Sequence, residues 1–355
     1  MAFAAQYYKH TLNFRFDAGT SRGVLRNKDS YFLKIYKKGI PEIFGIGEAG
    51  PLKGLSIDFG EKAENKIQEI VNKINSIENE SEFEKLIESL DNFPSVRFAL
   101  ETALLDLKNA GKRLIFENDF YQNEKPISIN GLVWMGSVDF MQKQIREKIE
   151  AGFDTIKLKI AALGFEEELE IIKNLRKEFS PNEIILRVDA NGGFSKADAL
   201  EKLKKLSEFS IHSIEQPIEV KQLHEMADLC QKSPIPIALD EELINPGLSK
   251  EDLLLAINPQ YIILKPSLIG GVSGSREWIN LAEKNNIKWW LTSALESNIG
   301  LNAVCQLAEE YPNNLLPQGL GTGQLYHNNF DSPLTVENGK IRYRKDLDWN
   351  LEYFK

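Results

Sequence analysis

From residue 153 onward, short apolar runs alternate with longer segments whose apolar positions recur every three or four residues. The runs FDTIKLK, EIILRVD, SIHSIE, PIPIALD and QYIILK read as buried parallel strands, and the intervening segments read as amphipathic helices. One strand, its loop, one helix and the return recur every 25 to 30 positions, the unit that closes into a (β/α) barrel. Ahead of this lies a different pattern. Residues 5–16, 30–37 and 41–48 alternate as three strands, and helical periodicity follows at 59–77, 82–90 and 94–110. The last of these opens on Pro94 and Ser95 and stops at Gly111, where start and stop signals belong. The predicted fold is α/β, a (β/α) barrel behind an N-terminal α+β capping domain. KPISINGLVWMG supplies the first barrel strand, and GKIRYRKDLDWNLEYFK has no eighth-helix pattern and is predicted to cross back onto the capping domain. The expected divisions are 1–122 for the cap, 123–322 for the barrel and 323–355 for the returning segment.

The barrel reading places a charged residue at five consecutive strand ends: Lys159, Asp189, Glu215, Asp240 and Lys265. Chemistry in such barrels gathers at the C-terminal strand ends. A single acidic residue there is ordinarily a helix cap or an Asx-turn. Three at near-constant spacing are a set, because capping residues need not keep a register. Adjacent strands lie about 5 Å apart, so Asp189, Glu215 and Asp240 can reach one ion. Their mutual repulsion calls for a hard divalent cation, Mg²⁺, with Mn²⁺ accepting the same oxygen set. Asn191 in DAN and Glu241 in LDE stand one step behind, placed to hydrogen-bond the ligands or simply their own loops. Lys157 and Lys159 share one strand face and cannot both snorkel out of a barrel interior, so they need carboxylate partners. A lysine serves as a base only if its pKa is lowered, as a neighbouring cation does. The set suits removal of a proton beside a carboxylate, with the resulting enediolate stabilised electrostatically.

Composition narrows the partners. A chain of 355 residues exceeds a barrel alone. Its net charge of −9, without a dense Lys/Arg cluster, argues against nucleic acid. The strand-end set itself points to a small-molecule carboxylate substrate. Cys230 and Cys305 lack CxxC spacing and are expected on apolar helix faces, which fits a reducing compartment. The N-terminus reads as a strand, not a signal peptide, and no apolar run reaches membrane-spanning length. A cytoplasmic enzyme is expected, with its oligomeric state left open.

The succession KLK, DAN, IEQP, LDE and LKPS resembles the muconate-cycloisomerase subgroup of the enolase superfamily across nearly the whole chain. Within it, GEAGPLKGLS (47–56), SALESNIGL (293–301) and PQGLGTGQLY (317–326) resemble the o-succinylbenzoate synthase family. The resemblance implies syn dehydration of 2-succinyl-6-hydroxy-2,4-cyclohexadiene-1-carboxylate to 2-succinylbenzoate, a step of menaquinone synthesis. It further implies Lys159 as base and then acid on one face, Lys265 as a cation on the other, and Mg²⁺ on the triad. Ser293, Ser297, Gly319 and Gly321 are candidates for the succinyl end, with helix capping and a tight barrel turn as their plainer roles. No His is expected at a barrel-strand end, which disfavours the mandelate-racemase subgroup, and the eighth-strand region lacks the Asp-x-Asp pair of dipeptide epimerases. N-succinylamino acid racemase is the competing activity. A barrel that only binds ligand is the remote one, since all five site residues are present.

Overall fold

The computed structural model describes residues 2–20, 23–161 and 163–355. The chain opens with strands β1 (Phe3–Thr20), β2 (Gly23–Lys37) and β3 (Phe44–Ala49) in one antiparallel sheet. Helices α1 (Glu61–Ile74), α2 (Glu82–Glu88) and α3 (Pro94–Lys108) cover one face of it. Helix α1 buries Ala63, Ile67, Ile70 and Ile74, a single apolar stripe at helical spacing, while its lysines and glutamates stay outside. Helix α3 starts on Pro94 at its first turn, where a missing N–H costs nothing. It lies directly on β3 because Gly45 and Gly47 carry no Cβ. A Cβ at either position would run into the α3 backbone around Ala99 and Ala103.

After α4 (Asp119–Gln122), the predicted first barrel strand divides in two at Ile129–Asn130. β4 (Ile127–Ser128) pairs outward, and β5 (Gly131–Val133) enters the barrel. Helix α5 (Val138–Glu150) completes the first βα unit, and six more follow: β6 (Thr155–Lys159), α6 (Phe165–Glu178), β7 (Ile185–Asp189), α7 (Ala199–Ser207), β8 (Ser213–Glu215), α8 (Leu223–Lys232), β9 (Ile237–Leu239), α9 (Lys250–Ile257), β10 (Tyr261–Leu264), α10 (Gly271–Lys284), β11 (Lys288–Leu291) and α11 (Asn298–Glu309). Strands β5 to β11 are parallel and in sequence order. The ring closes through an abbreviated eighth strand, Gln318–Gly319, bridged in parallel to Thr292 on one side and Ile129 on the other. Leucine, isoleucine and valine on the outward strand faces form one continuous core with the helices. Both cysteines lie buried in that helical layer, unpaired with each other.

Beyond the eighth strand the chain departs from the simple return expected of it. A hairpin, β12 (Leu334–Glu337) with β13 (Lys340–Tyr343), forms first and takes β4 as its third strand. The last residues then reach the cap. Lys34 donates to the Phe354 carbonyl at 2.7 Å, the Tyr353 hydroxyl donates to the Lys9 carbonyl at 2.6 Å, and Phe354 is fully buried against Phe32 and Phe330. Two cap carboxylates also dock on barrel-helix N-termini. Glu101 of α3 accepts from Val272 N–H at 2.5 Å at the start of α10. Glu48 of β3 accepts from Ser297 N–H at 2.9 Å and Gly300 N–H at 3.0 Å at the start of α11. A carboxylate there meets exposed N–H groups and the positive end of the helix dipole. Among the described residues no helix is long and apolar enough to cross a membrane.

Candidate active site

Each predicted strand-end residue projects into the barrel mouth. Lys157 and Lys159 sit two apart on β6, so the pleat sends both inward. Lys157 bridges two carboxylates, Asp189 at 3.0 Å and Glu215 in closer contact. Lys159 donates to Asp189 at 2.9 Å and to the Asn191 side-chain oxygen Oδ1 at 2.7 Å. On the far side Lys265 pairs with Asp240. The order along the sheet is therefore lysines on β6, carboxylates ending β7 and β8 and following β9, and a lysine following β10. Asp189, Glu215 and Asp240 are almost wholly buried.

The loops behind these ends are held by hydrogen bonds. Asn191 adopts φ 44°, a left-handed conformation asparagine tolerates, and its N–H returns to Asp189 at 3.0 Å. Its amide donates to Glu241 at 2.9 Å, linking the third strand end to the fifth. Gln216 does comparable work that the sequence reading missed. Its side-chain oxygen Oε1 accepts from the N–H groups of Asp240 and Glu242, and its side-chain amide donates to Glu242 at 3.1 Å, tying the fourth end to the fifth. Its place directly after Glu215 in IEQP was the only available signal. Arg187, two residues before Asp189 and so on the same inward face, lies beneath the triad. Its guanidinium stacks 4.0 Å from the Trp290 ring centre and donates to the Pro317 carbonyl at 2.8 Å. Burial pulls its pKa down to about 10 against the pull of Glu215, so it stays cationic at neutral pH.

Charge in the mouth is unevenly shared. Burial would raise Asp189, but Lys157 and Lys159 hold its carboxyl well below the usual range. Asp240 is lowered likewise, the penalty of burial outweighed by Lys265. Glu215 goes the other way: burial, then the neighbouring Asp189 charge, push it well above an ordinary glutamate, against the opposing pull of Lys157. Lys157 and Lys265 are raised, since the carboxylates around them outweigh the cost of burial. Among the described residues the acidic side chains do not close to coordinating geometry, and ammonium groups stand between them. Even so, Glu215 Oε1 is buried without a hydrogen-bond partner. Three converging carboxylates, one disfavoured as an anion and left with an orphan oxygen, form a donor set that fits a hard divalent ion.

Above the charged floor is a cavity of about 440 Å³ whose walls come from both domains. Phe16, Val24, Leu25 and Leu52 of the cap face Trp134 and Phe140 of the barrel, so the entrance is apolar and the base polar. These cap residues also escaped the sequence reading, because nothing local marks which strand ends overhang a barrel. Ser293, Gly319 and Gly321 line the cavity. Ser297 does not. It is fully buried, its hydroxyl donates to Glu48 at 2.5 Å, and it caps α11, so its expected place at the succinyl end is corrected to helix capping.

The sequence of residues 140–346 matches the family model described as enolase C-terminal domain-like. The o-succinylbenzoate synthase of Desulfotalea psychrophila is 43% identical over 94% of this chain and 97% of its own length. The crystal structure of MenC from that organism superposes with a TM-score of 0.85 at 39% identity, covering 96% of this chain and all of the other. An N-succinylamino acid racemase from Amycolatopsis is 26% identical over 68% of this chain and 65% of its own. With identity at that level along nearly its full length, the chain belongs to the o-succinylbenzoate synthase family of the enolase superfamily, a family of carbon–oxygen lyases.

Proposed function

We propose that this chain is a Mg²⁺-dependent cytoplasmic enzyme of menaquinone synthesis. It dehydrates 2-succinyl-6-hydroxy-2,4-cyclohexadiene-1-carboxylate to 2-succinylbenzoate. The observation that carries the mechanism is the placement of Lys159 and Lys265 on opposite sides of the carboxylate triad, beside Asp189 and Asp240 respectively. Residues 1–122 act as the cap, 123–322 as the catalytic barrel and 323–355 as the segment that fastens one to the other. Asp189, Glu215 and Asp240 would hold the metal, which when bound supplies positive charge for the substrate carboxylate. Lys159 takes the proton α to that carboxylate. Its hydrogen bond to Asn191 and ion pair to Asp189 aim the amine at one face of the ring. The same ammonium then returns the proton to the departing hydroxyl, because in a syn elimination both groups leave from one face. Lys265 stays protonated on the opposite face and stabilises the charge that develops as the proton leaves. Lys157 is fixed between Asp189 and Glu215 and lowers their mutual repulsion. The apolar cap residues exclude water above the ring.

Racemisation of N-succinyl amino acids is the second reading. It is favoured by lysines on both faces and by the likeness to the Amycolatopsis racemase. Both reactions are to be assayed on one preparation, with Mg²⁺ and after EDTA treatment. Dehydration that disappears with EDTA and returns with Mg²⁺ is expected. Full turnover in EDTA would remove the metal from the reading, and racemisation without dehydration would give the function to the second one.

A further inference from the structure

Strands β10 and β11 are paired only as far as Leu264 and Leu291, with Thr292 N–H donating to the Leu264 carbonyl at 2.9 Å. Lys265 and Ser293 therefore leave the sheet where the ladder stops, at the cavity. Lys265 begins a tight turn. Its carbonyl accepts from Leu268 N–H at 2.8 Å, and Pro266 occupies the second position, which its fixed φ suits. Ser267, third in the turn, is fully buried and donates to Glu296 Oε1 at 2.6 Å. From the other strand end, Glu296 Oε2 accepts from the Ser293 hydroxyl at 2.5 Å and from Ala294 N–H at 2.7 Å. Glu296 is fully buried, and none of these three partners is a cation.

We propose that Glu296 is a positioning residue for Lys265. Its carboxylate continues the pairing of β10 and β11 beyond the last ladder bond, and so pins the Lys265 turn against the cavity wall. The proposal rests on the reading of Lys265 as the opposite-face group. A lysine ammonium rides on a flexible four-carbon stem, so its placement depends on a fixed Cα. The adjoining backbone is held hard. Leu295 sits at φ 63°, a left-handed conformation that leucine avoids, and the Tyr326 hydroxyl donates to its carbonyl at 2.7 Å. Such a conformation persists only where the surroundings over-determine it. The clamp also redefines Ser293. Its proton goes to Glu296 and its oxygen accepts from Thr322 at 2.7 Å, so it has no proton for a bound carboxylate. Ser293 belongs to the clamp and is not an anion donor.

The test uses the full chain with Mg²⁺, in whichever of the two reactions the wild type runs. Failure of the dehydratase assignment is then visible in wild type, and failure of the clamp only in the variants. Glu296→Gln turns one accepting oxygen into an amide that faces donors. Its kcat is expected to fall about ten- to a hundredfold, the scale of a misplaced group. Its KM, and its Mg²⁺ affinity by calorimetry, should stay within about threefold, because the ligands belong to β7, β8 and β9. Ser267→Ala removes only the arm to Lys265 and should lower kcat, with a small fall in melting temperature from the unpaired Glu296 oxygen and Mg²⁺ affinity unchanged; it carries the test if Glu296→Gln does not fold. Ser293→Ala should leave KM within about threefold, where loss of a carboxylate donor would raise it further. Wild-type kcat in Ser267→Ala, or a change confined to KM in any of the three, would overturn the proposal.

Discussion

At the residue scale the two lysines make different demands on their side chains. In the proposed dehydration Lys159 exchanges a proton, so Lys159→Ala is expected to abolish both α-proton exchange and dehydration while substrate still binds. Dehydration near the wild-type rate would remove it as the base. Lys265 has only to be positive in a syn elimination. Lys265→Arg keeps the charge but cannot titrate, and its planar fork fits poorly beside Asp240. Measurable dehydration is expected in Lys265→Arg and none of the racemisation, with Lys265→Ala as the charge-free control. Equal loss of dehydration in both variants would mean that charge alone is not the role. His212 carries a different signal. It lies just ahead of β8, stacked 5.3 Å from Tyr261, and burial followed by the charges of Arg187 and Lys288 pulls its pKa down to about 4. A group depressed on folding contributes stability that is present above its unfolded pKa of about 6.5 and lost as pH falls toward 4. Thermal melts of the wild type should therefore weaken between pH 6.5 and 4, and His212→Asn should flatten that part of the slope. An unchanged slope in His212→Asn would mean that other groups carry the acid sensitivity.

At the scale of elements, the barrel was legible because its strands are short, largely apolar runs and its helices are apolar on one face, so period and length separate them. The five strand-end charges were legible for a related reason: a constant register is improbable for independent caps. What escaped were features that depend on distant chain. KPISINGLVWMG reads as one strand, yet β13 draws Ile127 and Ser128 away from the barrel, and nothing within the segment announces a partner more than 200 residues later. Glu101 reads as one more charge on α3, although it caps a helix of the other domain. That role is testable. Gly270, at the N-terminus of α10, offers no side chain, so Glu101 supplies the acceptor for Val272 N–H. Glu101→Gln keeps the shape and loses the charge, and should lower stability by about 1 kcal/mol, read as a fall in melting temperature. An unaltered melting temperature would show that the contact is incidental.

For the molecule as a whole, the cavity exists only while the cap is seated, since its apolar wall comes from β1, β2 and the loop after β3. Among the contacts that fasten the cap are Glu101 on α10, Glu48 on α11, and the C-terminal aromatics on β1 and β2. The first two hold the starts of the helices that follow Lys265 and Ser293 in the chain. The third packs on β1, β2 and Ile299 of α11, and it probes whether seating matters. Phe354 is fully buried, with ring centres of Tyr8, Phe32 and Phe330 between 5.1 and 5.5 Å away. Phe354→Ala removes that filling, and large-to-small aromatic changes in a core cost about 3–5 kcal/mol, with the lower end expected where a chain terminus can relax. The barrel ends that carry the lysines and carboxylates are untouched by this change. If the cap serves mainly to build the wall, KM should rise several-fold while kcat and Mg²⁺ affinity stay close to wild type. A fall in kcat at unchanged KM would instead mean that cap seating reaches the strand ends themselves, through Glu48 and the α11 N-terminus.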